Sequence, residues 1–255
     1  PEPGILRGHK PLPAALAIVF LVLLLGSLAA RFWASEHAYR FTGPTHITTG
    51  AGQVWLFASG ELFRLSGDGG LLAVHPMSQA GLESDPVDLK LLEDGRLLLA
   101  EQHPARIRLC DTETWHCESI LGDAVSAIER QFKVVQGQHP GAWFITDARG
   151  DTLWRTEPPG SELLAVLPQG ALAGPNGLVL DDGGSLWIAD TDHRRLVEVV
   201  IDEEHGHVQA RQHSSVNELT VGQRWYPMML ALTADQRLWV AQAADFSKPW
   251  SDLVV

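Results

Sequence analysis

The chain has 255 residues, of which 24 are glycine and 15 proline, and a formal net charge of −12 at pH 7. That balance excludes a basic stripe able to neutralise nucleic-acid phosphates, and it disfavours adhesion of a broad face to an anionic bilayer. The length accommodates one large β domain plus an anchor, with enough glycine and proline for many tight turns.

Residues 1–11 read as a short tail carrying Arg7 and Lys10. Residues 12–33 are predicted to form a single transmembrane helix in contact with membrane lipid. Within them, PAALAIVFLVLLLGSLAA (13–30) carries no charge and would span about 27 Å as a helix, close to the hydrocarbon thickness. Arg31, Glu36 and Arg40 follow, so charge alone leaves the orientation undecided. Ser27-Leu28-Ala29 also satisfies the small-x-small pattern of a cleaved signal peptide, and either reading sends the rest of the chain out of the cytoplasm. Gly26 and Ser27, with Ala14, Ala15, Ala17, Ala29 and Ala30, offer small surfaces for close helix approach. Residues 34–42 are a linker.

From residue 43 to 255 one strand pattern recurs five times: VWLFA (54–58), LLLAE (97–101), WFITD (143–147), LWIAD (186–190) and LWVAQ (238–242). Spacings of 43, 46, 43 and 52 residues predict an all-β fold, a β-propeller with one sheet per repeat. Pro86, Pro175 and Pro227 each stand 11 residues before their copy, with Phe132 at that place in the third and Gly43 in the first. Polar turns (EDG, DDGG, ADQ) and third strands (RIRLC, LWRT, LVEVVI) complete the blade pattern. Trp55, Trp187 and Trp239 share one position of the repeat, which predicts packing between sheets.

Cys110 and Cys117 flank DTETWH between ARIRLC and CESIL. A hairpin turning at Glu113-Thr114 pairs 112 with 115, 111 with 116 and 110 with 117, bringing the cysteines to disulfide distance and fitting an oxidising compartment. Glu101, Asp147 and Asp190 end their copies at equivalent places and are expected to cap turns. His205, His207 and His213, in DEEHGHVQARQH, are expected in a solvated loop, and Arg149-Gly150-Asp151 at a hairpin tip. A nucleophile elbow, Walker loop and dinucleotide fingerprint are absent from the sequence.

GPNGLVLDDGGSLWIADTDHRRLVEV (174–199) and LLLAEQHPARIRLCD (97–111) resemble the NHL-repeat family and its gluconolactonase-like, senescence-marker-protein-like propeller relatives. The resemblance implies six blades. Either an N-terminal strand closes the ring or the domain is incomplete at Val255 and continues beyond it. It also implies a divalent metal held by a Glu of an EGP-type opening, an Asn of a PNG motif and an Asp of a PDG motif. Here Asn176 stands in PNG as a remnant, but Thr42-Gly43-Pro44 and Pro227-Met228-Met229 lack the two acids. We therefore expect no metal, no cofactor and no catalytic residue. The expected function is a single-pass, periplasmic or extracellular scaffold that binds another membrane or extracytoplasmic protein. The alternatives are a membrane-tethered lactonase- or esterase-like hydrolase and a small-ligand sensor.

Overall fold

Second strands such as LLLAE are apolar on both faces, a pattern that is stable only where a sheet is covered on both sides. Each repeat accordingly forms one antiparallel sheet, and successive sheets pack against one another. The computed structural model describes residues 44–102, 105–121, 128, 131–139, 141–156, 162–202, 207–213, 226–242 and 253–254. Among them no helix is long and apolar enough to cross a membrane, and the predicted helix at 12–33 lies outside them.

Sheet 1 contains β1 (Pro44–Gly50), β2 (Gln53–Ala58), β3 (Glu61–Ser66) and β4 (Leu71–Pro76). Sheet 2 contains β5 (Pro86–Leu91), β6 (Leu97–Gln102), β7 (Ala105–Cys110) and β8 (Cys117–Ser119). Sheet 3 contains β9 (Phe132–Gln136), β10 (Trp143–Asp147), β11 (Thr152–Thr156) and β12 (Leu163–Ala165). Sheet 4 contains β13 (Pro175–Leu180), β14 (Ser185–Asp190), β15 (Arg195–Asp202) and β16 (His207–His213), and sheet 5 contains β17 (Pro227–Leu232), β18 (Leu238–Gln242) and β19 (Leu253–Val254). Strand order follows the chain in every sheet, and the first strands of successive sheets are neighbours. All five sequence copies are second strands. This is the architecture of a β-propeller.

Two elements differ from what the sequence pattern predicts. His205 lies outside the described residues, but the segment 207–213 is not a loop: it pairs along β15 from Leu196↔His213 to Asp202↔His207. Gln209, Ala210, Arg211 and Gln212 are exposed there, because an outermost strand needs a backbone ladder and little apolar surface. The second concerns the opening of the first repeat. Pro44, not Gly43, is the counterpart of the other prolines, since Pro44↔Ala58 matches Pro86↔Glu101, Pro175↔Asp190 and Pro227↔Gln242. The first hairpin is one residue shorter, turning through Ala51 and Gly52 at φ 49° and 71°, the left-handed pair of a tight hairpin turn. Each of these four prolines is followed by a β-bulge, whereas Phe132 starts β9 without one. Proline, which has no N–H to donate, is tolerated at such a strand start.

The core lies between sheets. Trp55, Leu62, Leu89, Leu97, Leu99 and Cys110 pack between sheets 1 and 2; Leu98, Ile107, Phe132, Val134 and Ile145 between sheets 2 and 3; and Phe144, Leu153, Leu178, Leu186 and Ile188 between sheets 3 and 4. Sheets 1 and 5 differ. Leu89, Val134 and Leu178 are buried at one register position of the first strand, but Ile47, at the same position of β1, is 64% exposed. Met229 of β17 is 53% exposed on the alternate side of its strand.

Candidate functional site

Among the described residues the first strand of each sheet has a neighbour on one edge only, leaving backbone groups unpaired toward the axis of the fold. One register position of these strands lies opposite the fourth residue of each five-residue sequence copy. It holds His46, Asp88, Lys133, Gly177 and Met229 in sheets 1 to 5. Lys90 lies two residues beyond Asp88 on the same side of β5.

Side chains from three of these strands meet around Asp88. Its Oδ2 accepts the Val134 N–H of β9 at 2.9 Å and lies 3.3 Å from Lys90 Nζ, while Oδ1 is 3.7 Å from Lys133 Nζ. Lys90 donates to the Val134 carbonyl and reaches the Leu178 carbonyl of β13 at 3.5 Å, so β5, β9 and β13 converge on it. Lys133 donates back to the Val87 carbonyl, which also receives a hydrogen bond from the His46 ring. Polar side chains thereby satisfy edge groups that would otherwise face the axis unpaired.

The electrostatics follow from this packing. Burial by itself raises the Asp88 carboxyl, but Lys90, Lys133 and the Val134 N–H outweigh it and hold the group below its ordinary value. Burial draws the Lys90 ammonium down, against the pull of Asp88 and with the help of Lys133. His46 is lowered by burial and by the positive charge of Lys133. Two ammonium groups thus share one buried carboxylate beside an imidazole biased toward its neutral form.

Asn176 lies elsewhere. It is the bulged residue after Pro175, and its Nδ2 donates to the Gly174 carbonyl and to Thr191 Oγ1, both at 3.0 Å. Thr191 Oγ1 in turn donates to the Pro227 carbonyl of β17. Met228 occupies the matching bulge in sheet 5, and Thr42 lies outside the described residues. Among the described residues, no group of three or more His, Cys, Asp and Glu side chains is placed to hold a metal ion.

The strand-end carboxylates organise loops. Glu101 Oε2 accepts the Glu83 and Ser84 N–H groups at 2.7 and 2.9 Å, and its Oε1 lies 3.2 Å from Arg106. Asp190 Oδ1 accepts the Ala173 N–H at 2.6 Å, while Oδ2 meets Arg195 Nε at 2.6 Å and His193 Nδ1 at 2.9 Å. Arg106 and Arg195 also donate to Gly81 and Ala171 carbonyls in the linkers that precede their sheets. Asp147 accepts the Arg149 and Gly150 N–H groups, and Asp151 accepts the Gly174 N–H at 2.7 Å. The Arg149-Gly150-Asp151 tripeptide is therefore a turn tied to the next sheet. The arginine partners escaped the sequence reading, although both stand five residues after their acid. The inner cluster escaped it too. Its signal was a pair of charges two apart (Asp88, Lys90) on a strand opposite apolar LLLA, with Lys133 at the same register as Asp88.

Cys110 and Cys117 are register partners joined by a disulfide, with Cα atoms 4.0 Å apart. The turn between them closes at the Asp111 and His116 pair, but not through 112 and 115. Asp111 Oδ1 accepts the Glu113 and Thr114 N–H groups, and Trp115 adopts φ 56°. That geometry lays the Trp115 indole on His75 of β4, ring centroids 4.0 Å apart, and directs its N–H to His75 Nε2 at 3.2 Å.

No family model and no curated protein matches this chain. Solved structures do. A streptogramin B lyase superimposes with a TM-score of 0.55 at 18% identity, covering 78% of this chain and 62% of that one. A protein provisionally assigned as a gluconolactonase gives 0.56 at 17%, covering 80% and 73%. The extracellular domain of a protein provisionally assigned as a one-component system of B. thetaiotaomicron gives 0.54 at 12%, covering 80% and 27%. The chain thus spans less than two thirds of the lyase's length. At these identities the likeness establishes the β-propeller fold and nothing of the chemistry.

Proposed function

We propose that this chain is an extracytoplasmic β-propeller, held at the membrane by residues 12–33, that serves as a protein-binding or scaffold subunit. The observation that carries this reading is a set of large apolar side chains exposed among the described residues. They are Ile47 and Leu72 of sheet 1, Leu164 of sheet 3, Val208 of sheet 4 and Met229 of sheet 5. Side chains of this kind gain from being covered by a partner. The disulfide supports an oxidising compartment. The test is purification from native membranes in mild detergent, comparing the full chain with its Ile47→Asp and Met229→Asp variants. Stoichiometric co-migration with one membrane protein, lost in both variants at an unchanged unfolding midpoint, is the expected result. Equal recovery from the variants, or a monodisperse, partner-free chain, overturns the reading.

A small-ligand sensor is the second reading, favoured by the charged inner cluster and by the extracellular domain among the similar structures. A tethered hydrolase rests on Asn176 alone. Stoichiometric calcium or zinc in purified protein, abolished by Asn176→Ala, would revive it.

A further inference from the structure

The inner cluster has an unbalanced charge and an unused donor. Lys90 and Lys133 face a single buried carboxylate, Asp88; Asp85, which also acts on His46, stands exposed just before β5. An ammonium has three N–H donors. Lys90 directs its own to the Val134 carbonyl, to Asp88 and, at the long distance of 3.5 Å, to the Leu178 carbonyl. Lys133 donates to the Val87 carbonyl and otherwise has, among the described residues, only Asp88, at 3.7 Å, beyond hydrogen-bonding range. Its side chain retains 18% exposure, and that of Lys90 26%, so both remain in reach of small solutes. This excess of positive charge sits inside a chain whose overall charge is strongly negative.

We propose that Lys133 and Lys90 form a binding site on the axis of the propeller for a small organic carboxylate, which completes the donor set of Lys133 and neutralises the surplus charge. One missing negative charge calls for a monoanion. A phosphate dianion would replace a surplus positive charge with a surplus negative one beside Asp88, in surroundings where an unbalanced charge is costly. His46 forms the wall on the sheet 1 side, its ring already directed to the Val87 carbonyl and Thr45 Oγ1. The site uses residues other than Asn176, Met228 and the exposed apolar groups, so it stands or falls independently of the scaffold reading; it rests on the small-ligand reading of the same cluster and names the ligand class.

The chain's lysines are Lys10, Lys90, Lys133 and Lys248, a set small enough to resolve by NMR of the full chain carrying isotope-labelled lysine in detergent. Sodium acetate and sodium phosphate are titrated separately against a constant chloride background. Acetate is expected to shift two lysine signals saturably, those lost in Lys133→Met and Lys90→Met, and to leave the other two unmoved. In Lys133→Met the remaining Lys90 signal responds at roughly tenfold higher acetate or more, as for loss of a charged hydrogen bond. Lys133→Met keeps the Asp88–Lys90 pair, and an intact Lys90 signal reports that its fold is preserved. An absent or non-saturable acetate response, an unchanged response of Lys90 in Lys133→Met, or tighter binding of phosphate than of acetate overturns the proposal.

Discussion

At the ends of the second strands, sheets 2, 3 and 4 place Glu101, Asp147 and Asp190 at one register position and bury all three almost completely. Two of them have an arginine at the facing position of the third strand. On the first strands, one register position from the opening residues that face these acids, the same three sheets carry Asp88, Lys133 and Gly177. The first position repeats its chemistry and the second does not. A loop-holding clamp solves a problem that every sheet shares, namely where a linker returns to the start of a first strand. The inner position has no shared task, because each side chain meets different neighbours near the axis. Repetition therefore marks what holds the shape, and departure from it marks where recognition can reside.

The sharpest way to break that contrast is to cut the clamp. Arg195→Met leaves the Asp190 carboxylate fully buried, with only the Ala173 N–H and His193 beside it among the described residues. Removing one partner of a buried pair is expected to cost about 3 kcal/mol, read as a lowered midpoint in urea unfolding. Asp190→Asn added to Arg195→Met should restore part of the loss, since the unpaired charge is then gone. A single variant that unfolds like the wild type would show that the acid needs no more than its backbone donor and His193.

Gly177 tests the other side of the comparison, because it belongs to the varied tier and yet has no freedom. A Cβ there would stand 3.0 Å from the Ala189 Cβ and from the Met228 carbonyl oxygen, and 3.1 Å from Leu230 Cγ. Backbone oxygen cannot yield as a side chain would, so Gly177→Ala is expected to destabilise by about 1–3 kcal/mol through overpacking. Thermal unfolding of the variant decides it. A neutral outcome would mean that β17 can move away from β13, and that the inner tier of sheet 4 is open after all.

What the sequence disclosed follows the same division. The five second strands, the proline-led entries and the Cys110–Cys117 hairpin were legible because each repeats a local rule: apolar on both faces, no N–H at a strand start, partners equidistant from a turn. The acids at 101, 147 and 190 could be read as turn caps for the same reason. The Asp88, Lys90, Lys133 and His46 cluster was not legible, since its members come from three sheets and meet only once those sheets are stacked. The strand 207–213 was missed because its ladder is made by backbone, which composition does not report. The misplaced first proline has a humbler cause, a hairpin one residue shorter than its counterparts.

The imidazole of the inner tier gives a subtler measure. His46 is held below the ordinary value of 6.5 by burial and by Lys133, against Asp88 and Asp85. A depressed folded-state pKa means that protonation is easier in the unfolded chain. The stability His46 contributes is therefore present above pH 6.5 and is lost as the pH falls from there through the folded value. His75, lowered by burial and by Arg64 against its Gln79 hydrogen bond, works in the same direction at the Trp115 contact. His46→Asn and His75→Asn should each flatten part of the decline in unfolding midpoint between about pH 8 and about pH 5, and the double variant more than either. A slope unchanged by His46→Asn would show that its ring is solvated and takes no part in the cluster.

The smallest effect is expected where recognition is proposed. Lys133→Met removes one ammonium but leaves Asp88 paired with Lys90 and bonded to the Val134 N–H, so no buried charge loses its only partner. The methionine side chain replaces most of the lysine stem, and the Val87 carbonyl keeps the His46 ring as a donor. The cost in urea unfolding should stay below about 1 kcal/mol, near the net value of one ordinary hydrogen bond, against the much larger loss in Arg195→Met. If Lys133→Met instead destabilises as strongly as the cut clamp, the second ammonium is structural, and the inner tier holds the sheets together as firmly as the strand-end acids do.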